Sequence, residues 1–147
     1  MILFESLSFK IENSTKTKRR RGQMKKIMIV DDEPKMRNLL KAFLQKEYIV
    51  FSAGRGDEAW KILGNPKLIF KPDLLITDVE MPGEINGLQL AKQTKEIFPA
   101  LPIIVMTGLL SKGIVLPPKN GGADVYLGKP FRLAFLDKMI KKLLGLS

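Results

Sequence analysis

Five short apolar runs recur along the chain: IMIVD (27–31), YIVFSA (48–53), LLITD (74–78), IIVMT (103–107) and DVYLG (124–128). Each is of strand length, rich in Ile, Val and Leu, and most are separated from the next by a segment of helical period. Parallel neighbours need a crossover, usually a helix, so strands that alternate with helices argue for a parallel sheet covered by helices. In the first helical segment Pro34 occupies a first turn, where its missing amide costs nothing, and Met36, Leu39, Leu40, Phe43 and Leu44 form one apolar stripe. DEAWKIL (57–63) reads as a short helix capped by Asp57 and stopped by Gly64, and a third helix runs from about Leu88 to Phe98, ahead of Pro99. The last, from about Arg132 to Leu144, aligns Phe135, Leu136, Met139, Ile140, Leu143 and Leu144. These stripes read as core.

One crossover resists the alternation. LLSKGIVLPPKNGGAD (109–124) stands where a helix should join the fourth and fifth strands, yet Pro117 and Pro118 lack amide donors and Gly113 weakens a helix further. At most one or two helical turns are expected there.

The 147 residues suit one domain. With no Cys and no His, disulfides, zinc sites built on those ligands, Ser-His-Asp triads and Cys-His pairs are excluded, and a divalent metal would need oxygen ligands. The net charge of +10 contains a single dense cluster, KTKRRR at 16–21. Residues 1–23 are therefore expected to be a basic, disordered extension, with the domain proper spanning 24–147 and Met24 its natural start. An electrostatic tail touching nucleic acid or anionic lipid is the alternative. Neither a membrane span nor a secretion signal is apparent, so a cytoplasmic protein is expected.

In an open parallel sheet, ligands bind beyond the carboxyl ends of the strands, near the point where strand order reverses. Those ends carry Asp31 and Asp32 after the first strand, Asp78 on the third, Thr107 on the fourth and Lys129 after the fifth. Three carboxylates on one rim would raise one another's pKa unless a cation offset them, and oxygen-only coordination is what Mg²⁺ prefers. A metal with a lysine then suits a phosphoryl group, with an unprotonated carboxylate as nucleophile. Taken singly, an Asp after a strand is most often a helix cap, Thr107 an ordinary strand-end residue, Tyr126 a half-buried aromatic and Lys129 a surface lysine. Their common register reverses that reading for the aspartates, Thr107 and Lys129, and leaves Tyr126 open between the two.

Through IVDDEP, LLITDVEMP, IVMTG and DVYLGKPF, the sequence over 25–147 resembles the receiver domain of two-component response regulators. The spacing is 46 residues from Asp32 to Asp78, 29 more to Thr107 and 22 more to Lys129. The resemblance implies a flavodoxin-like, doubly wound, five-stranded parallel sheet in the order 2-1-3-4-5, with helices on both faces and the fourth helix short or disrupted. It implies a stand-alone signalling protein whose Asp78 accepts a phosphoryl group from a histidine kinase or phosphotransfer protein. Asp31, Asp32, Asp78 and the Glu80 backbone carbonyl would hold Mg²⁺, and Lys129 would pair with the phosphoryl oxygens. Thr107 would hydrogen-bond the new phosphoryl group, Tyr126 would change rotamer, and Lys129–Pro130 would be cis. Two departures stand out. Gly87 lies nine residues after Asp78 where the family glycine usually lies eight after, and Glu80 puts a carboxylate at the mouth of the site, where it would alter the dephosphorylation rate.

Two rival readings remain. GRGDEA (54–59) fits a G-x-G-x-x-A dinucleotide fingerprint after a strand, although Asp57 would oppose a pyrophosphate at the helix N-terminus. An acid-nucleophile phosphatase or phosphotransferase would also place a second acid two residues after its nucleophile, as Glu80 stands after Asp78. The dinucleotide reading also falls in the second βα unit and leaves Asp31, Asp32 and Lys129 unexplained. The phosphatase would need a cap over the site to select a substrate, for which a domain spanning 24–147 leaves no chain.

Overall fold

The computed structural model describes residues 24–67, 71–108, 113–115 (as backbone) and 122–146; the basic extension 1–23 lies outside the described residues. The strands are β1 (Lys26–Val30), β2 (Ile49–Ala53), β3 (Leu74–Asp78), β4 (Ile103–Thr107), β5 (Gly113–Val115) and β6 (Val125–Gly128). The helices are α1 (Pro34–Leu44), α2 (Gly56–Leu63), α3 (Gly87–Ile97) and α4 (Leu133–Leu144).

Five strands pair in parallel in the order β2-β1-β3-β4-β6, which is the expected 2-1-3-4-5 arrangement. Along them alternate side chains fall on opposite faces, as the pleat requires. Ile27 and Ile29 of β1 and Leu74 and Ile76 of β3 join a core beneath α1 and α4, where Leu40, Leu44, Leu136 and Ile140 are buried. Met28, Val30, Leu75, Ile103 and Val105 face the other way and pack with Ala59, Leu63, Leu90 and Ala91 of α2 and α3. A sheet buried on both faces explains why the strands read as nearly unbroken apolar runs.

The disrupted crossover holds something other than helical turns among its described residues. Gly113–Val115 form a three-residue strand antiparallel to β6, with Ile114 opposite Leu127, making a sixth strand at the edge. The rest of 109–121 lies outside the described residues.

Smaller expectations shift too. Leu39 is not core: it is 51% exposed, because α1 rests on Leu40 and Leu44 and turns Leu39 outward. Helix α2 begins one residue early, with Arg55 at its N-cap position, so Asp57 lies in the first turn and does not cap it. On α3, Asn86 and Gln89 form a reciprocal capping box that the sequence reading did not name. Glu33 and Pro34 start α1 as expected.

Candidate functional site

The parallel register brings the ends of β1, β3, β4 and β6 to one rim, with Val30 opposite Thr77, Asp78 opposite Met106 and Thr107 opposite Gly128. Asp31 follows β1 directly and is wholly buried, Asp78 closes β3 and is 5% exposed, and Asp32 is exposed. One oxygen of each carboxylate lies within 4.8 Å of one from each of the others. Lys129 reaches in from beyond β6, its Nζ 3.2 Å from Asp78 Oδ1 and 3.6 Å from Asp31 Oδ2. The Lys129 amide donates to the Thr107 carbonyl at 2.8 Å, which ties the lysine to the end of β4, and Lys129–Pro130 is cis.

The two oxygens of Asp31 are used differently. Oδ1 accepts the Glu33 amide at 2.9 Å, starting the turn into α1. Oδ2 is buried, has no hydrogen-bond donor among the described residues, and meets Lys129 only at ion-pair distance. Burial pushes the Asp31 carboxyl above its ordinary pKa, and Asp32 adds to this; the Glu33 amide and Lys129 pull it partly back. Burial likewise raises Asp78, with Lys129 lowering it and the two neighbouring aspartates raising it. For Lys129 burial acts downward, yet its attraction to Asp31 and Asp78 outweighs this and raises the ammonium. One ammonium thus serves two buried carboxylates with a third, exposed one beside them, a local deficit of positive charge.

Thr107 is buried at the end of β4, and Tyr126 is buried in the core beneath α2 and α3. The Tyr126 hydroxyl has no partner in hydrogen-bonding geometry among the described residues. Burial raises its pKa, and the nearby Ala123 backbone offsets this in part. Glu80 is exposed, and its Oε1 lies 4.0 Å from where a Cβ on Gly108 would stand, so its carboxylate leans toward the residue after Thr107. Every residue expected at the site therefore lies on this rim or directly behind it.

The tight packing behind Asp78 left little trace in the sequence beyond the position of Gly87 itself. A Cβ on Gly87 would lie 1.8 Å from the Asp78 carbonyl oxygen, so only glycine fits against the end of β3. The Thr77 hydroxyl donates to that same carbonyl at 3.0 Å. The GRGDEA stretch is structural: the Gly54 amide donates to Glu58 Oε2 at 3.2 Å, and a Cβ on Gly56 would meet the Ile85 carbonyl at 2.2 Å. With Asp57 and Glu58 in its first turn, the N-terminus of α2 is already supplied with carboxylates, which argues against a pyrophosphate there.

Comparison with known proteins agrees with this geometry. The family model described as the response regulator receiver domain matches residues 27–141. The sporulation initiation phosphotransferase F of Bacillus subtilis is 32% identical over 123 residues, covering 83% of this chain and 95% of that protein. A chemotaxis protein CheY homolog of Campylobacter jejuni is 33% identical over 124 residues, covering 82% and 92%. Among solved structures, the response regulator protein TrrA of Thermotoga maritima, in complex with Mg²⁺-BeF, matches with a TM-score of 0.69 and 37% identity, covering 82% of this chain and all of that one. The chain belongs to the response regulator receiver domains, the phosphoacceptor signalling modules of two-component systems.

Proposed function

We propose that Asp78 is the phosphoacceptor of this receiver and that its phosphorylation depends on Mg²⁺. The observation that carries the reading is the meeting of Asp31, Asp32 and Asp78 within 4.8 Å with Lys129 at 3.2 Å from the acceptor. The donor set fits the ion: three carboxylates supply only oxygen, and Asp31 Oδ2 is a buried acceptor without a hydrogen-bond donor among the described residues. Asp31, Asp32, Asp78 and the Glu80 backbone carbonyl would hold it. When bound, Mg²⁺ supplies positive charge toward phosphoryl oxygens.

The chain's own groups do the rest. A carboxylate oxygen of Asp78 attacks phosphorus as the P–N bond to the donor phosphohistidine breaks, and the imidazole leaves. Lys129, already paired with Asp78, is placed to follow the negative charge onto the phosphoryl oxygens. The Thr107 hydroxyl then bonds the phosphoryl group, and Tyr126 responds by changing rotamer, which shifts the balance between two conformers. Glu80, leaning over the mouth, tunes the rate at which water removes the phosphoryl group. A histidine kinase or phosphotransfer protein is the donor, and the output is either a protein docked by the phosphorylated form or a protein to which the phosphoryl group is passed on. Nucleic acid would be reached only through the basic residues of 1–23. No described helix is long and apolar enough to cross a membrane; a cytoplasmic place without membrane insertion is part of the proposal.

Incubation with Mg²⁺ and acetyl phosphate, followed by intact-mass measurement, tests the central claim. One phosphoryl adduct is expected on the wild type and none on Asp78→Ala. No adduct on the wild type, or an equal one on the variant, refutes it; sustained turnover of a phosphate ester would favour the phosphatase instead. An unchanged phosphoryl half-life in Glu80→Ala would remove the role given to Glu80.

A further inference from the structure

Arg37 lies one turn into α1 and was part of no reading of the sequence. Its Nη1 donates to the carbonyl of Asp31 at 2.7 Å, where the chain leaves β1, and its guanidinium lies over Gly54 at the end of β2. Among the described residues it has no ion-pair partner, and the cation that lowers the Asp31 and Asp78 carboxyls is Lys129. Arg37 therefore acts here through its hydrogen bond more than through its charge. That bond fixes the plane of the Asp31–Asp32 peptide, because a carbonyl held at one end of an amide sets the orientation of the whole unit. Asp32 itself is exposed, and its carboxylate makes no hydrogen bond or ion pair with the described residues; its backbone is held by this bond on one side and by the Glu33 amide on Asp31 Oδ1 on the other.

We propose that Arg37 is a positioning residue, which fixes through the Asp31 carbonyl where the Asp32 carboxylate stands to receive a divalent cation. The proposal rests on the Mg²⁺ reading above and adds a residue outside the ligand set. Groups that orient metal ligands without touching the metal commonly change affinity by about 10- to 100-fold when removed. Gly54 belongs to the same device: a Cβ there would stand 3.1 Å from Arg37 Nη1, so the guanidinium would have to give by a few tenths of an ångström and its bond to the Asp31 carbonyl would be strained.

The experiment compares wild type, Arg37→Met, Arg37→Lys and Gly54→Ala. For each, the Mg²⁺ midpoint is read twice, from the rise in melting temperature over an EDTA baseline and from the Mg²⁺ dependence of labelling by acetyl phosphate. Arg37→Met is expected to need about tenfold more Mg²⁺ while reaching a near-normal labelling rate at saturation. Arg37→Lys, which keeps a donor, should recover most of the loss, and Gly54→Ala should weaken the midpoint severalfold even if Arg37→Met fails to fold. A lower EDTA melting temperature with an unchanged midpoint would mean that Arg37 only holds the fold, and overturns the proposal. So would a tighter midpoint in Arg37→Met, which would show repulsion between cations. A wild type that ignores Mg²⁺ overturns the metal reading itself, and the proposal with it.

Discussion

Asp73 and Asp124 stand immediately before β3 and β6, whereas Asp31 and Asp78 stand at the far ends of β1 and β3. At the first rim each carboxylate closes a reciprocal clasp with the neighbouring strand. Asp73 Oδ2 accepts the Lys26 amide at 2.8 Å while its own amide donates to the Lys26 carbonyl at 2.7 Å. Asp124 repeats the arrangement with Ile103, at 2.8 Å in both directions, and also pairs with Lys95 at 2.8 Å. At the second rim the carboxylates are buried, crowded and short of donors. The same side chain stitches the sheet where strands begin and holds unspent charge where they end. Supply of donors, more than residue type, separates the structural aspartate from the functional one.

The contrast can be broken at several points. Asp78→Asn should abolish the acyl-phosphate adduct entirely while Asp124→Asn leaves it intact; an adduct lost in both would mean that the two rims are not separable. Next in size is the response to metal. Mg²⁺ at ten times its dissociation constant should add about 1.4 kcal/mol, roughly 4 °C in melting temperature, and Asp31→Asn should lose most of that rise. A wild type with a flat melting temperature in Mg²⁺ would contradict the assignment of those carboxylates.

Smaller effects should differ in sign. Without metal, Asp31→Asn relieves a buried, repelled charge and keeps an oxygen for the Glu33 amide, so its melting temperature should rise. Asp73→Ala leaves the Lys26 amide without its carboxylate partner and should destabilise the domain by about 1 kcal/mol in a urea melt. Equal signs for the two would erase the distinction between the rims. The smallest change belongs to Tyr48→Phe, which removes a 3.1 Å bond to Asp137 far from the site; a loss of about 0.5–1 kcal/mol with unaltered labelling is expected.

Much of this was legible before any coordinates. Short unbroken apolar runs between helical patterns fix the strands because a doubly covered sheet must bury both faces, and the rim residues follow from strand ends alone. Periodicity failed at Leu39 because α1 faces the sheet through Leu40 and Leu44, with Met36 and Phe43 packed beside them, and this orientation leaves Leu39 at the outer edge of the stripe. The clasps of Asp73 and Asp124 were invisible because they depend on strand neighbours far apart in sequence. Pro117, Pro118 and Gly113 indicated that the crossover would not be a full helix, but pairing with β6 depends on an edge that sequence alone does not display. Arg37 escaped for a similar reason: nothing in an arginine six residues after an aspartate says that it bonds that residue's carbonyl.

Gly87 has one more consequence. Its amide donates to the Val79 carbonyl at 3.0 Å, and its bare Cα lies against the Asp78 carbonyl, so residues 80–86 leave and return through a single neck. Chain inserted above a neck does not move what lies below it. The segment is thus tied off at the end of β3: a change of length within it need not shift the register of the sheet beneath, as long as Met81 and Ile85 keep their places in the core and Glu80 its place at the mouth of the site.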